Sequence, residues 1–131
     1  MIVRRIVYIS TANAVTEHDI DCILTTANRR NSQDNVTGFL LYNGRNFLQL
    51  VEGGQAPLMN LMSRLARDTR HAGISVLVDE PIGERCCPDW HMHRLRLVDD
   101  IAMRRSTLEN ELPTSLCVYP RQLVQNFAVL N

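Results

Sequence analysis

The sequence has no excess of either charge, because 14 basic residues are balanced by 14 acidic ones. A nucleic-acid-binding domain usually carries a basic field, so this balance argues against nucleic acid as a partner. The short pairs Arg29-Arg30 and Arg104-Arg105 are typical of solvated surface. No apolar run approaches the roughly 20 residues that a membrane-spanning helix needs, which argues against a membrane protein of that kind.

The sequence also lacks any CxxC pair; its cysteines are Cys22, Cys86, Cys87 and Cys117. The Cα atoms of adjacent cysteines lie about 3.8 Å apart, which is shorter than the usual disulfide range. We therefore expect reduced thiols and a cytoplasmic location. The N-terminal stretch MIVRRIVYIS places two arginines in an alternating apolar run, which is typical of a strand and not of a signal peptide.

The length of 131 residues predicts one domain with a short appendix. A chain of this size hides about two-thirds of its extended surface on folding, so it can sustain a core without disulfides or metals. Apolar residues at 45% and charged residues at 21% describe an ordinary globular protein.

The first part of the chain predicts a strand and a helix. Apolar alternation over residues 2–10 predicts a strand in which Ile6 and Tyr8 share a face. Thr16 and Asp19 have the spacing of a capping box and predict a helix start. The apolar stripe that follows contains Ile20, Ile23, Leu24 and Ala27. Asn31 either continues this stripe or caps the helix.

The middle of the chain predicts a β-hairpin. Residues 36–42 and 46–52 are apolar runs on either side of Asn43-Gly44, which is a strong hairpin signal. In the second run Gln49 shares a face with apolar neighbours. We expect Gly53-Gly54 to break that strand.

A second helix and two more strands follow. The helix is expected to start at Pro57 and to end near Asp68, and a strand is expected over residues 74–79. A last strand is expected to begin around Trp90, with Trp90 and Met92 on one face. His91 and His93 would face the other side.

Beyond residue 98 the pattern changes. We expect a short helix from Asp99 to about Leu108, a break at Pro113 and an amphipathic tail from Pro120. The apolar face of the tail either covers the open side of the sheet, self-associates or binds a partner. Its residues are Leu123, Val124, Phe127 and Leu130.

The order of elements is β-α-β-β-α-β-β followed by two helices. This order predicts an α/β (α+β) fold, a ferredoxin-like sandwich whose mixed five-stranded sheet carries two helices on one face. We place one domain at residues 1–97 and a C-terminal helical extension at 98–131.

Three uncharged polar residues interrupt the apolar patterns of three different elements. They are Tyr8, Asn31 and Gln49. A buried phenol or amide costs a few kcal/mol (about 1–3 in proteins) unless it is hydrogen-bonded, so convergence of the three predicts a shared polar ligand. A primary amide can read an adjacent carbonyl and nitrogen on the edge of a flavin ring. Taken one at a time, each residue could instead be a satisfied core residue.

Longer stretches make the chain resemble the BLUF family, which are blue-light sensors that use FAD. The resemblance covers about residues 1–95 and rests on motifs in the same order and spacing. They read IVYIS, NSQDNVTGFLLYNGRNFLQLVEG, RLARDTRH and DWHM. It implies the same ferredoxin-like fold, a non-enzymatic photoreceptor and non-covalent FAD.

The resemblance also implies roles for individual residues. Tyr8 matches the photoactive tyrosine, Gln49 the switching glutamine and Asn31 the asparagine on the flavin carbonyl edge. Trp90 and Met92 match the output residues of the last strand. The expected cofactor-binding residues are Tyr8, Ile23, Leu24, Ala27, Arg30, Asn31, Gln49, Arg64, Leu65, Asp68, His71 and Met92.

Two positions depart from the family pattern. Arg30 stands where many members have an asparagine or histidine, and Ala27 where a small hydroxyl residue is common. Both changes are expected to affect cofactor affinity or dark recovery and to leave the pair Tyr8 and Gln49 intact.

The expected signal is a change in the hydrogen bonds of Gln49 that passes to the last strand and the C-terminal helices. A short sensor of this kind would form a homo-oligomer and act on a separate effector protein. The alternatives are a cofactor-free interaction module and a thiol redox sensor at Cys86-Cys87. A metal site at His91 and His93 is a weaker alternative, because structural zinc normally needs four ligands.

Overall fold

The computed structural model describes residues 2–130, so the outermost residue of each predicted domain range lies outside it. Among these residues no helix is long and apolar enough to cross a bilayer. The elements in chain order are β1 (Val3–Ala12), α1 (Glu17–Asp34), β2 (Thr37–Tyr42), β3 (Asn46–Gly54), α2 (Gln55–Ala66), β4 (His71–Ile82), β5 (His93–Arg94), α3 (Ile101–Glu111) and α4 (Val118–Ala128).

The five strands form one mixed sheet in the order β4-β1-β3-β2-β5. β1 pairs antiparallel with both β3 and β4, and β2 pairs antiparallel with β3. β5 joins the other edge of β2 in parallel. With α1 and α2 packed on one face, this is the ferredoxin-like sandwich predicted from the order of elements, and that prediction is confirmed.

The first helix begins where its capping signature predicts. The Thr16 hydroxyl accepts a hydrogen bond from the Asp19 N–H at 3.1 Å, and the Asp19 carboxylate accepts one from the Thr16 N–H at 2.8 Å. The helix continues past Asn31 and ends at Asp34, before Asn35 in a left-handed conformation. Asn31 therefore belongs to the inward-facing stripe and is not the cap.

Two hydrophobic clusters lie on opposite sides of the sheet, because alternate residues of each strand point to opposite faces. The cluster under α1 and α2 contains Ile6, Ile20, Leu40, Phe47, Val51 and Leu58 among others. The second cluster contains the intervening strand residues, such as Val7, Phe39, Leu48 and Leu50. The sheet therefore has a core on each face.

The C-terminal helices cover the second face. Val124 and Phe127 of α4 and Leu108 of α3 are buried in the same cluster as the strand residues. The apolar tail thus covers the open side of the sheet, while Leu130 remains 52% exposed. α3 begins two residues later than expected, at an N-cap formed by Asp100, and ends before Pro113 as expected.

Several strand boundaries differ from the expectation. β1 runs on to Ala12, and β4 is twice the predicted length because it pairs with almost the whole of β1. The prediction that Gly53-Gly54 breaks the third strand is wrong, since both residues pair with β1. A Cβ atom on Gly53 would lie 3.2 Å from a methyl of Val36, so this glycine permits close packing. α2 ends at Ala66, two residues before Asp68.

The prediction of the last strand is also wrong, both in where the strand begins and in which residues share a face. β5 consists of His93–Arg94 only, and residues 90–92 lie outside the strand. Trp90 packs on the side of the C-terminal helices, edge-on to Phe39 with ring centroids 6.3 Å apart. Met92 is buried on the α1 and α2 side. Trp90 and Met92 therefore lie on opposite sides of the sheet.

Candidate functional site

A cleft of about 210 Å³ opens between α1, α2 and the sheet face that they cover. Apolar side chains from both helices and two strands line it: Ile23, Ala27, Leu40, Phe47, Leu61 and Leu65. Polar side chains complete the lining: Tyr8, Thr26, Arg30, Asn31, Gln49, Arg64, Asp68, Arg70 and His71. An apolar slot with a few convergent polar groups is the usual form of a small-molecule site.

Tyr8 and Gln49 form a hydrogen-bonded pair in the wall of the cleft. They lie directly opposite each other on β1 and β3, and both are buried. The Tyr8 hydroxyl donates to Oε1 of Gln49, and Nε2 of Gln49 lies 3.4 Å from Sδ of Met92. A continuous chain of polar contacts therefore runs from Tyr8 through Gln49 to Met92.

The Tyr8 hydroxyl is held in its neutral form. Burial raises the pKa of the phenol well above its usual range, and the negative charge of Asp68 raises it further. The neutral phenol keeps its proton and can donate it to the Gln49 carbonyl at any physiological pH.

This raised pKa has a consequence for alkaline stability. Above about pH 10 an unfolded tyrosine releases its proton while folded Tyr8 keeps it, so the unfolding free energy falls as pH rises. The stabilisation is complete below that pH and is lost above it.

We expect the Tyr8→Phe variant to lose less stability than the wild type between about pH 8 and pH 10.5, measured by urea denaturation. The buried thiol of Cys87, whose pKa is also raised, contributes equally to both proteins. An identical pH dependence in the two proteins would contradict the assignment.

Asn31 connects the cleft to the chain beyond β4. Its side chain is only 1% exposed, and its Nδ2 donates to the backbone carbonyl of His91 at 2.6 Å. Because Asn31 also lines the cleft, one amide contacts both the pocket and the residues before β5.

His71 ties the end of α2 to β1. One ring nitrogen lies 2.8 Å from the Ser10 hydroxyl and the other lies 2.7 Å from the carbonyl of Leu65. The ring of His71 is also tilted against that of Tyr8, with centroids 6.4 Å apart. His71 therefore sets the distance between the helix end and the strand at this side of the cleft.

Three arginines bring positive charge to the cleft. Arg70 holds Asp68 through several hydrogen bonds, the shortest at 2.7 Å, and these bonds lower the pKa of that carboxyl. Arg64 lies 3.9 Å from Asp34 across the two helices. Arg30, at the end of α1, is largely exposed. Cations beside an apolar slot suit a ligand that combines a flat ring with an anionic tail.

The sequence profile of one family, described as "Sensors of blue-light using FAD", matches residues 3–93. The chain belongs to the BLUF family. The match includes α1, α2 and the residues of the cleft. It also includes the five-stranded sheet, except for the last residue of β5.

Relatives of known identity and structure agree with this assignment. The "photoactivated adenylate cyclase subunit beta" of Euglena gracilis is 36% identical over 85 residues, which cover 63% of this chain and 10% of the relative. The solved structure "BlrB - a BLUF protein, dark state structure" is 28% identical with a TM-score of 0.76, covering 98% of this chain and 94% of BlrB. The structure "BlsA photo-activated state" is 25% identical with a TM-score of 0.74, covering 98% and 96%. This chain thus spans about a tenth of the cyclase subunit.

The cleft between α1, α2 and the sheet fits the cofactor that defines the family. The ring system of FAD is flat, with a polar edge of carbonyl and N–H groups, and its diphosphate is anionic. Asn31 and Gln49 each offer an amide donor and acceptor, and Arg30 and Arg64 offer cationic partners. The family match favours this light sensor over the cofactor-free module.

Ten of the twelve residues expected to contact the cofactor line the BLUF cleft. The other two are Leu24 and Met92. Leu24 packs on the edge of the cluster under α1, and Met92 reaches the site through its contact with Gln49. Trp90, expected beside Met92, lies on the far side of the sheet.

Sequence reasoning missed five lining residues: Thr26, Leu40, Phe47, Leu61 and Arg70. Two of them had a usable signal. Phe47 shares the face of Gln49 on β3, and Leu40 lies opposite Gln49 on β2. Thr26 had no comparable signal, because the apolar stripe of α1 predicts Ala27 and not the polar residue before it.

The thiols of Cys86 and Cys87 lie outside the cleft, on the other side of the sheet. Their sulfur atoms are 3.7 Å apart, and among residues 2–130 they form, with Glu52, one group of possible metal ligands within 4.8 Å. Both carboxylate oxygens of Glu52 are already engaged, by Arg5 and by the Cys86 N–H, each at 2.8 Å. The contact with Cys86 and burial raise the pKa of Cys87, which disfavours a reactive thiolate.

The two histidines considered as metal ligands have other contacts. His93 stacks on Trp90 with ring centroids 4.4 Å apart. Nδ1 of His91 lies 3.3 Å from the carbonyl of Val36. These contacts give the metal alternative no support.

Proposed function

We propose that Tyr8 and Gln49 are the light-responsive pair of this BLUF domain. The observation that carries the proposal is the buried contact chain from the Tyr8 hydroxyl through the Gln49 amide to Sδ of Met92. A buried amide with a phenol on one end and a thioether on the other can hold two hydrogen-bonding arrangements.

Asn31, Gln49 and Tyr8 would hold the ring of FAD, and Arg30 and Arg64 would hold its phosphates. Bound FAD supplies absorption of blue light and an excited state that readily accepts an electron. Tyr8 is the phenol placed to donate an electron and a proton, and its neutral state keeps both available.

The signal is the orientation of the Gln49 amide. In the present arrangement Oε1 accepts from Tyr8 and Nε2 faces Met92. A half-turn about the last side-chain bond exchanges these two atoms, so that Nε2 donates to the Tyr8 oxygen and Oε1 faces Met92. The hydrogen bond to Sδ is then lost, because a thioether has no donor. The exchange of one or two hydrogen bonds is worth about 1–3 kcal/mol, which is the usual size of an allosteric coupling.

We further propose that the output reaches a separate effector protein from residues 91–94 and the C-terminal helices, residues 98–131. BlrB and BlsA, which match this chain over nearly their whole lengths, support such a short sensor. Exposed apolar residues on α3 and α4, such as Met103 and Tyr119, support a homo-oligomer or partner contact on this side. Four free cysteines support a reducing, cytoplasmic location.

One absorption experiment tests the sensor. The purified protein is expected to be yellow with bound flavin, and its light-minus-dark spectrum should show a small red shift that reverses in the dark. The shift should occur without loss of flavin absorption, because no covalent bond to the ring is formed. A colourless protein that does not take up added FAD, or a yellow protein without a reversible shift, would contradict the proposal.

A further inference from the structure

One side of α1 is attached to the residues around β5 by side chains at three positions. Nδ2 of Asn31 donates to the carbonyl of His91 at 2.6 Å, and Nδ2 of Asn28 donates to the carbonyl of Met92 at 3.0 Å. At the other end of the helix Glu17 accepts from Arg94 at 2.6 Å. Positions 17, 28 and 31 are separated by eleven and three residues, so they share one face of an α-helix.

The two asparagines occupy backbone acceptors that the sheet leaves free. β2 provides the neighbouring bonds, because the Gly38 N–H donates to the carbonyl of Trp90 at 2.7 Å and the Leu95 N–H donates to the carbonyl of Leu40 at 3.0 Å. Among the described hydrogen bonds, the carbonyls of His91 and Met92 are held by these side-chain amides. Backbone carbonyls in folded proteins are almost always paired, so these amides replace the sheet bonds that β2 does not supply to His91 and Met92.

The position of Met92 depends on this attachment. Its backbone carbonyl is held by Asn28, and its sulfur lies 3.4 Å from the amide nitrogen of Gln49. A shift of the backbone at Met92 would move the sulfur away from Gln49 and remove one of the two partners of the light-responsive amide.

We propose that Asn28 is a positioning residue of the sensor. Together with Asn31 it clamps the consecutive carbonyls of Met92 and His91 and so holds Met92 against Gln49. The inference rests on the proposed function, since it concerns the partner of the switching glutamine. Asn28 does not line the cleft, so its effect on the cofactor can only be indirect, whereas Asn31 lines it.

The sequence allows each clamped carbonyl to be observed alone. Met92-His93 is the sole Met-His step in the chain, and His91-Met92 is the sole His-Met step. Labelling with carbonyl-¹³C methionine and ¹⁵N histidine therefore gives one NMR correlation for the Met92 carbonyl. The reverse labelling reports the His91 carbonyl, and a ¹³C-methyl label reports the side chain of Met92.

The decisive variant is Asn28→Asp in the flavin-loaded protein kept in the dark. The carboxylate has the shape of the amide but no donor at neutral pH. We expect the Met92 carbonyl resonance to move upfield, while the protein stays yellow. The variant removes two hydrogen bonds donated by Nδ2, one to the Met92 carbonyl and one within α1 to the Leu24 carbonyl at 2.9 Å. Only the first holds Met92, and its loss should raise the minor population seen at the Met92 methyl group roughly threefold. The factor is this modest because Asn28 is largely exposed and water replaces part of the bond.

The matched control is Gln33→Glu, which adds the same charge to an exposed position of α1. It should leave the Met92 carbonyl and methyl signals unchanged. A carbonyl shift in Asn28→Asp without any change at the Met92 methyl would reduce Asn28 to a structural tie and overturn the proposal. Unchanged carbonyl and methyl signals of Met92 in Asn28→Asp would overturn the proposal as well. A wild type without a light-induced red shift would instead refute the proposed function, and the dark-state NMR result does not depend on that shift.

Discussion

The Gln49→Leu variant is expected to bind flavin and to lose the light-induced red shift completely. Leucine fills the same space beside Tyr8 but carries no donor or acceptor, so no amide remains that can exchange its two ends. Flavin should remain bound, because the other polar groups of the cleft, including Asn31 and Arg64, are untouched. A light-minus-dark spectrum of the purified variant measures the effect.

A matched control is available on the other side of the sheet. Gln125 of α4 is also buried, and its amide donates to Glu109 at 2.8 Å and to the carbonyl of Arg105 at 3.2 Å. Gln125→Leu should cost about 1 kcal/mol or less, because Glu109 is half exposed and keeps its contact with Arg121, and it should keep the full red shift. A normal shift in Gln49→Leu, or an equal loss in Gln125→Leu, would rule out Gln49 as the switching residue.

Local signals predicted those elements whose ends are fixed by neighbouring residues. The reciprocal bonds of Thr16 and Asp19 set the start of α1, and both residues are close in sequence. Gly53 misled the prediction because its role depends on Val36, which approaches it only in the folded sheet. A glycine that allows close packing and a glycine that ends a strand have the same local sequence signal.

The residues before β5 show a second limit. Alternation over Trp90, His91 and Met92 predicts an extended strand, but His91 and Met92 are held by Asn31 and Asn28 from a helix about sixty residues earlier. Side chains so distant in sequence give no local pattern. The expected common face of Trp90 and Met92 failed for this reason.

The polar residues of the cleft were predictable because each one interrupts an apolar pattern. Tyr8, Asn31 and Gln49 all line the cleft, and their burial explains why they stand out. Phe47 and Leu40 continue their apolar patterns, so sequence alone does not separate them from ordinary core residues. The family resemblance added Arg64 and His71, for which no pattern in the chain provides a role.

A buried ion pair lies on the face of the sheet opposite the cleft. Arg5 and Glu52 lie on neighbouring strands, 2.8 Å apart, with side chains 3% and 0% exposed. Glu52 also accepts the Cys86 N–H, so it anchors the residues that follow β4. Removing Glu52 leaves the buried Arg5 with only the longer contact to half-exposed Glu80, 3.5 Å away. Most of the buried guanidinium charge then loses its partner, which is far more costly than the pair itself.

The Glu52→Gln variant should therefore lower the unfolding free energy by about 3 kcal/mol, measured by urea denaturation. Glutamine keeps the shape and an acceptor for the Cys86 N–H, so the loss reports the buried charge of Arg5. The adjacent but exposed pair of Arg4 and Asp79, also 2.8 Å apart, is the control. Asp79→Asn should cost less than about 1 kcal/mol, because solvent screens that pair.

The double variant Arg5→Met with Glu52→Gln should recover most of the lost stability, since both charges are gone while the acceptor remains. Equal losses in Glu52→Gln and Asp79→Asn, or no recovery in the double variant, would show that burial of the charge is not the cause.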